Sequence, residues 1–181
     1  MNKILSSLSV LVVAGATAFS VQAQGVKGDA AAGAKINAMC IGCHGIVGYQ
    51  ASFPEIYKVP KISGQGAGYI VAALGAYKTG ERKHPTMRGI AVSLSEQDVA
   101  NLGAYYETSG QVAGAPEPGK AAEGSAKVQA LLAKGACISC HGDNFNKPIN
   151  AAYPKIAGQH ADYLFVALKS YKTGQHGESR P

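Results

Sequence analysis

Charge is scarce in this chain: Asp, Glu, Lys and Arg make up 15% of its 181 residues, against about a quarter in ordinary domains. The 17 Lys and Arg outweigh 11 Asp and Glu, but they are scattered and form no block of the kind that grips nucleic acid. That argues against nucleic acid as a partner. The modest basic excess suits an acidic protein partner or a membrane surface. Long apolar runs are lacking too. The longest, Ile4 to Phe19, is interrupted by Ser and Thr and falls short of the roughly 20 residues that span a bilayer. At 46% hydrophobic the chain is neither disordered nor a multi-span membrane protein. No stretch alternates convincingly with period two, so an all-α fold is expected. Finally, no cysteine stands alone.

The N-terminus has the three parts of a secretory signal peptide. Lys3 supplies the positive charge and Ile4 to Phe19 the apolar segment. Val21-Gln22-Ala23 places small residues three and one before a cut at Gln24. Residues 1–23 are therefore expected to be removed near Ala23/Gln24 during export. The alternative, a transmembrane anchor, is too short. The cysteines then need an explanation that suits an oxidising compartment.

All four cysteines fall in two pairs, each followed by histidine: Cys40-Ile41-Gly42-Cys43-His44 and Cys137-Ile138-Ser139-Cys140-His141. The unit C-x-x-C-H reads as c-type haem attachment. Two Cys three apart on a helical turn reach the two vinyl groups on one haem edge and form thioethers. The next residue then brings its imidazole under the iron as proximal ligand. A zinc site built from two Cys pairs normally spaces them by about 15–20 residues, far less than the interval from Cys43 to Cys137. A thioredoxin-like pair needs a βαβ setting, and a disulfide leaves each His unexplained. Two covalently bound haem c groups are expected, on Cys40, Cys43, Cys137 and Cys140, with His44 and His141 on the irons.

The surroundings repeat as well. Pro60 to Gly80 and Pro154 to Gly174 agree at 13 of 21 positions with an offset of 94, while the Cys pairs repeat with an offset of 97. The loop after the second haem motif is thus shorter. Two copies of one haem domain explain this most simply: residues 24–112 and 125–181, with a Pro- and Gly-containing linker at 113–124. Within the first copy, Asp29 to Met39 reads as a helix running into the haem motif. A second helix spans Tyr69 to Tyr77. A capping box at Ser95 and Asp98 opens a third, through Glu107 and stopped by Gly110.

An iron held by one His needs a second axial group or stays open for chemistry. Beyond the leader there are two Met. Met39 abuts Cys40 and reads as packing. Met87, in the loop His84 to Gly89, is placed to close the first haem pocket as distal ligand, favouring Fe(II) and electron transfer; its alternative role is an apolar plug. If Pro181 corresponds to Pro85, the second copy ends before a matching Met and lacks a counterpart of the Ser95–Glu107 helix. The second domain is therefore expected to be incomplete, with its distal ligand beyond Pro181. His160 and His176 are the remaining candidates within the chain.

Taken together, the two C-x-x-C-H motifs, Pro60 to Gln65 with Pro154 to Gln159, and Gly80 through Met87 resemble the cytochrome c4 family of dihaem class I cytochromes c. The likeness covers essentially the whole mature chain. It implies two small helical domains with neighbouring haems that pass single electrons in the periplasm towards a terminal oxidase. It also implies that Pro60 and Pro154 lend backbone carbonyls to His44 and His141, and that Gly33 lets two helices cross closely. A soluble electron carrier docking redox proteins is the first expectation, with Lys78, Arg82, Lys83 and Arg88 as a positive rim for an acidic partner. The alternative is the electron-accepting subunit of an exported dehydrogenase acting on sulfide, thiosulfate or an alcohol. A peroxidase-like enzyme would need a distal acid–base constellation, which the first copy lacks.

Overall fold

A computed structural model of the protein describes residues 25–110 and 124–174. The expected leader, the linker apart from Gly124, and His176 lie outside the described residues. The first repeat comprises α1 (Ala30–Ile36), α2 (Ala38–His44), a two-stranded ladder of β1 (Gln50–Ala51) and β2 (Tyr57–Lys58), α3 (Ala67–Thr79), α4 (Pro85–Val92) and α5 (Glu96–Thr108). The second repeat holds α6 (Ala126–Lys134), α7 (Cys137–His141), a 3₁₀ turn at Asp143–Phe145 and α8 (Ala161–Lys172). Helix dominates, as the sequence predicts. The ladder is a small addition, antiparallel with Gln50 opposite Lys58 and Ala51 opposite Tyr57.

Local chemistry sets the helix ends. Asp29 caps α1 by accepting from the amides of Ala31 and Ala32 at 2.7 and 3.1 Å. The single helix expected from Asp29 to Met39 is instead two, because the chain turns at buried Asn37. The break is in the backbone, at φ −80° and ψ 1°, with no capping bond from the Asn37 side chain. Gly80 ends α3 with φ 86°, a left-handed conformation that favours glycine. The capping box forms as predicted: Ser95 Oγ accepts the Asp98 amide at 3.1 Å and Asp98 Oδ2 accepts the Ser95 amide at 3.0 Å.

The core of the first repeat gathers Ile70, Leu94, Leu102 and Tyr106, with Ile36, Tyr69, Leu74 and Val99 packed against it. Helix α5 lies across both α1 and α3. Among the described residues the second repeat has no counterpart of α5. Phe165 and Leu168 of α8 are accordingly 61% and 68% exposed, whereas Leu74, the partner of Leu168 in the alignment of repeats, packs on the core.

The repeats meet through the motif they share. Lys61 donates its amide to Gln159 Oε1 at 3.0 Å, and Gln159 Nε2 donates back to the Lys61 carbonyl at 2.9 Å. Lys155 and Gln65 make the same exchange in the opposite sense, at 2.7 and 2.8 Å. The ammonium of Lys61 reaches the Gly158 carbonyl at 2.9 Å and that of Lys155 the Gly64 carbonyl at 3.0 Å. Off this pseudo-twofold seam, Asp162 accepts from the Lys58 amide at 3.1 Å, and Lys169 pairs with Glu55 at 2.8 Å.

Candidate haem sites

Helix α2 carries Cys40, Cys43 and His44 on two turns, and α7 presents Cys137, Cys140 and His141 in the same order. All four thiols are half-buried and none is in a disulfide. His44 Nδ1 donates to the Pro60 carbonyl at 2.7 Å, and His141 Nδ1 to the Pro154 carbonyl at 2.9 Å. A carbonyl only accepts, so Nδ1 bears a proton in each ring, and in the neutral tautomer this leaves the lone pair on Nε2. Burial pushes the His44 pKa below its usual value, with the Pro60 bond opposing. The ring is therefore neutral near pH 7 and its Nε2 is ready to bind a metal.

Met87 lies not in a loop but in the first turns of α4. Pro85 occupies the start of this helix, where its missing N–H costs nothing, and His84 caps it by accepting the Met87 amide on Nδ1 at 3.3 Å. An accepting Nδ1 puts the proton on Nε2, which donates to the Tyr57 hydroxyl at 3.1 Å. The rings of Phe53 and Tyr77 stand edge-on to His84 at 5.8 and 6.4 Å. Burial, then Arg82, then His44 lower the His84 pKa.

The expected positive rim divides. Lys78 is exposed, but its ammonium is engaged by the Leu94 carbonyl at 2.7 Å. Arg82 is enclosed by tyrosines: its two terminal nitrogens donate to Tyr69 and Tyr163 hydroxyls at 3.2 Å each, and it lies 4.5 Å from the centre of the Tyr77 ring. Burial raises the phenol of Tyr77 to about 12 despite Arg82, and raises Tyr163 too. These phenols are neutral at pH 7, so none of them balances the guanidinium. Its Nε is sealed from solvent and has no partner. Lys78, Lys83 and Arg88 are exposed, and Arg82 alone of the four is drawn in from the surface.

Arg82, Lys83, His84 and Arg88, with Phe53 and Val92, line a cavity of about 570 Å³. Neither Cys40, Cys43 nor His44 borders this cavity, and nor does Met87. The donor sets of α2 and α7 are what fit haem: in each, two free thiols three residues apart precede an imidazole held at Nδ1 by a carbonyl. His160 stands at the start of α8, near Lys61 at the seam, and makes no side-chain capping bond. The buried role of Arg82 and the seam role of Gln65 and Gln159 were missed in the sequence; the repetition of Gly-Gln in both copies was the available signal for the latter.

The family model described as "Cytochrome c" matches residues 30–109 and 125–181. Over 177 residues the chain is 34% identical to "Cytochrome c4" of Pseudomonas aeruginosa, covering 96% of this chain and 83% of that protein. It is 32% identical over 171 residues to a "Thiosulfate dehydrogenase electron acceptor" of Stutzerimonas stutzeri, covering 86% and 74%. Its fold is similar to the crystal structure of reduced recombinant cytochrome c4 from Pseudomonas stutzeri, with TM-score 0.62, 30% identity and 85% of each chain covered.

Proposed function

The chain belongs to the cytochrome c family and, within it, to the dihaem cytochromes c4, and on that premise we propose that it is a periplasmic carrier moving single electrons between respiratory partners, towards a terminal oxidase. It is an electron-transfer cytochrome with two covalently bound haem c groups. No helix among the described residues is long and apolar enough to cross a membrane.

The observation that carries the site assignment is the matched pair of Nδ1 bonds from His44 to Pro60 and from His141 to Pro154. Each fixes its ring's tautomer and orientation and presents Nε2 as proximal ligand. Cys40 and Cys43 hold one haem in residues 24–112; Cys137 and Cys140 hold the other in residues 125–181. Met87 is the distal ligand of the first. Bound haem supplies a one-electron Fe(III)/Fe(II) couple. Arg82 adds a positive charge to the same repeat from among its tyrosines. Lys83 and Arg88 steer an acidic partner to the first haem.

A second reading draws on the likeness to the thiosulfate dehydrogenase acceptor: the chain would accept electrons as the subunit of an exported dehydrogenase. Gel filtration of the haem-staining species from periplasmic extract separates the two. Elution at monomer size supports the free carrier, and co-elution with a larger non-haem protein supports the subunit. Steering is tested by ionic strength. Reduction by the partner slows steeply as salt rises if Lys83 and Arg88 guide docking, and a flat profile removes that role.

A further inference from the structure

The seam between the repeats touches the proximal histidines through single peptide groups. The carbonyl that accepts from His44 belongs to Pro60, and the amide of that same peptide unit, on Lys61, donates to Gln159 of the other repeat. In the second repeat the Pro154 carbonyl accepts from His141, while the Lys155 amide donates to Gln65 of the first. We infer that each repeat tunes the iron of the other: Gln159 acts on His44 and Gln65 on His141, each through one peptide bond, as positioning residues that touch neither haem. This rests on the haem reading given above.

The physical link is hydrogen-bond cooperativity. An acceptor on the amide N–H draws electron density towards the carbonyl oxygen of the same unit and makes it a better acceptor. A better acceptor pulls the Nδ1 proton, makes Nε2 a stronger donor to iron and favours Fe(III). Loss of the Gln acceptor therefore raises the potential of the iron across the seam. Gln65 is buried, at 6% exposure, and its bond to the Lys155 amide is 2.7 Å, against 3.0 Å for Gln159 to Lys61. A bond shielded from water acts more strongly, so the second iron feels the greater effect.

The test is a haem-resolved redox titration of the full-length holoprotein and its Gln159→Met and Gln65→Met variants. The expected pattern is crossed. Gln159→Met raises the first haem's midpoint and leaves the second in place; Gln65→Met raises the second, by more, and leaves the first. In the fully reduced protein the His44 Hδ1 resonance moves upfield in Gln159→Met. It returns in Gln159→Glu, which keeps an acceptor for the Lys61 amide but gives up the donor to its carbonyl. Equal shifts of both haems, shifts confined to the substituted repeat, no shift, or an unrestored His44 resonance in Gln159→Glu would each overturn the inference. A purified chain without two haems would instead overturn the haem reading itself.

Discussion

Gly33 lies so close to the Asn101 carbonyl that a β-carbon on it would overlap that oxygen and come within 2.7 Å of Tyr105 Cβ. The contact fixes how α1 crosses α5, and Asn101 reinforces it by accepting the Asp29 amide at 2.8 Å. Backbone on one side and a helix on the other leave little room to relax. Gly33→Val is expected to destabilise the first repeat by about 3 kcal/mol, at the upper end of ordinary overpacking. Chemical denaturation followed by helical circular dichroism measures it; a loss below about 1 kcal/mol would mean the helices slide apart freely.

The capping box of α5 allows a milder test. Ser95→Ala removes the acceptor for the Asp98 amide and should cost about 1 kcal/mol. Ser95→Gly should cost only a few tenths of that unit, because glycine tolerates the cap conformation. Equal losses in the two variants would argue that the hydroxyl bond contributes nothing.

Met87→Ala should lower the first haem's midpoint and open its iron to carbon monoxide, because a thioether favours Fe(II) and closes the sixth position. The CO-difference spectrum of the reduced variant reads the second effect directly. Unchanged potential and no CO binding would assign Met87 to packing.

Arg82 bears on the same potential through charge. A buried cation beside a haem disfavours the extra positive charge of Fe(III), so Arg82→Leu should lower the first midpoint and Arg82→Lys should lower it less. Spectroelectrochemistry orders the three proteins. If leucine leaves the midpoint in place, the guanidinium is too far from the iron to matter.

Asp162 links seam stability to pH. The Lys58 amide bond, ahead of the Tyr163 amide and the Lys58 charge, holds its carboxyl below the usual range. The folded protein then binds this proton less readily than the unfolded chain does. Its stabilising effect is complete above the unfolded value of about 3.9 and disappears as pH falls through the lower folded value. Between pH 5 and the acid limit, Asp162→Asn should lose less stability than the unsubstituted protein. Parallel acid profiles would show that the carboxylate is not coupled to folding.

Much of this was legible in residue order. The haem-binding motifs and the duplication can be read directly from residue order, and the Ser95 capping box and the glycine stop after α5 are local patterns that nearby backbone groups settle. Helix α4 was hidden because His84 is an unusual cap and Pro85 reads equally well as a loop. The break at Asn37 depends on burial, which a helical pattern of alanines does not reveal. Arg82 looked like a surface charge because its tyrosine enclosure draws on Tyr69, Tyr77 and, from the other repeat, Tyr163. Only tertiary structure brings these together.

The reciprocity of Lys61 with Gln159 and Lys155 with Gln65 has a consequence for how such a surface is obtained. A patch that fits its own copy needs no separately shaped mate, so duplication of one domain supplies the complementary face at once. Joining the copies in one polypeptide then replaces an encounter in dilute solution by an effective concentration of order millimolar. A seam of amide and ammonium hydrogen bonds, too polar to hold two free molecules tightly, becomes sufficient once the partner is always at hand.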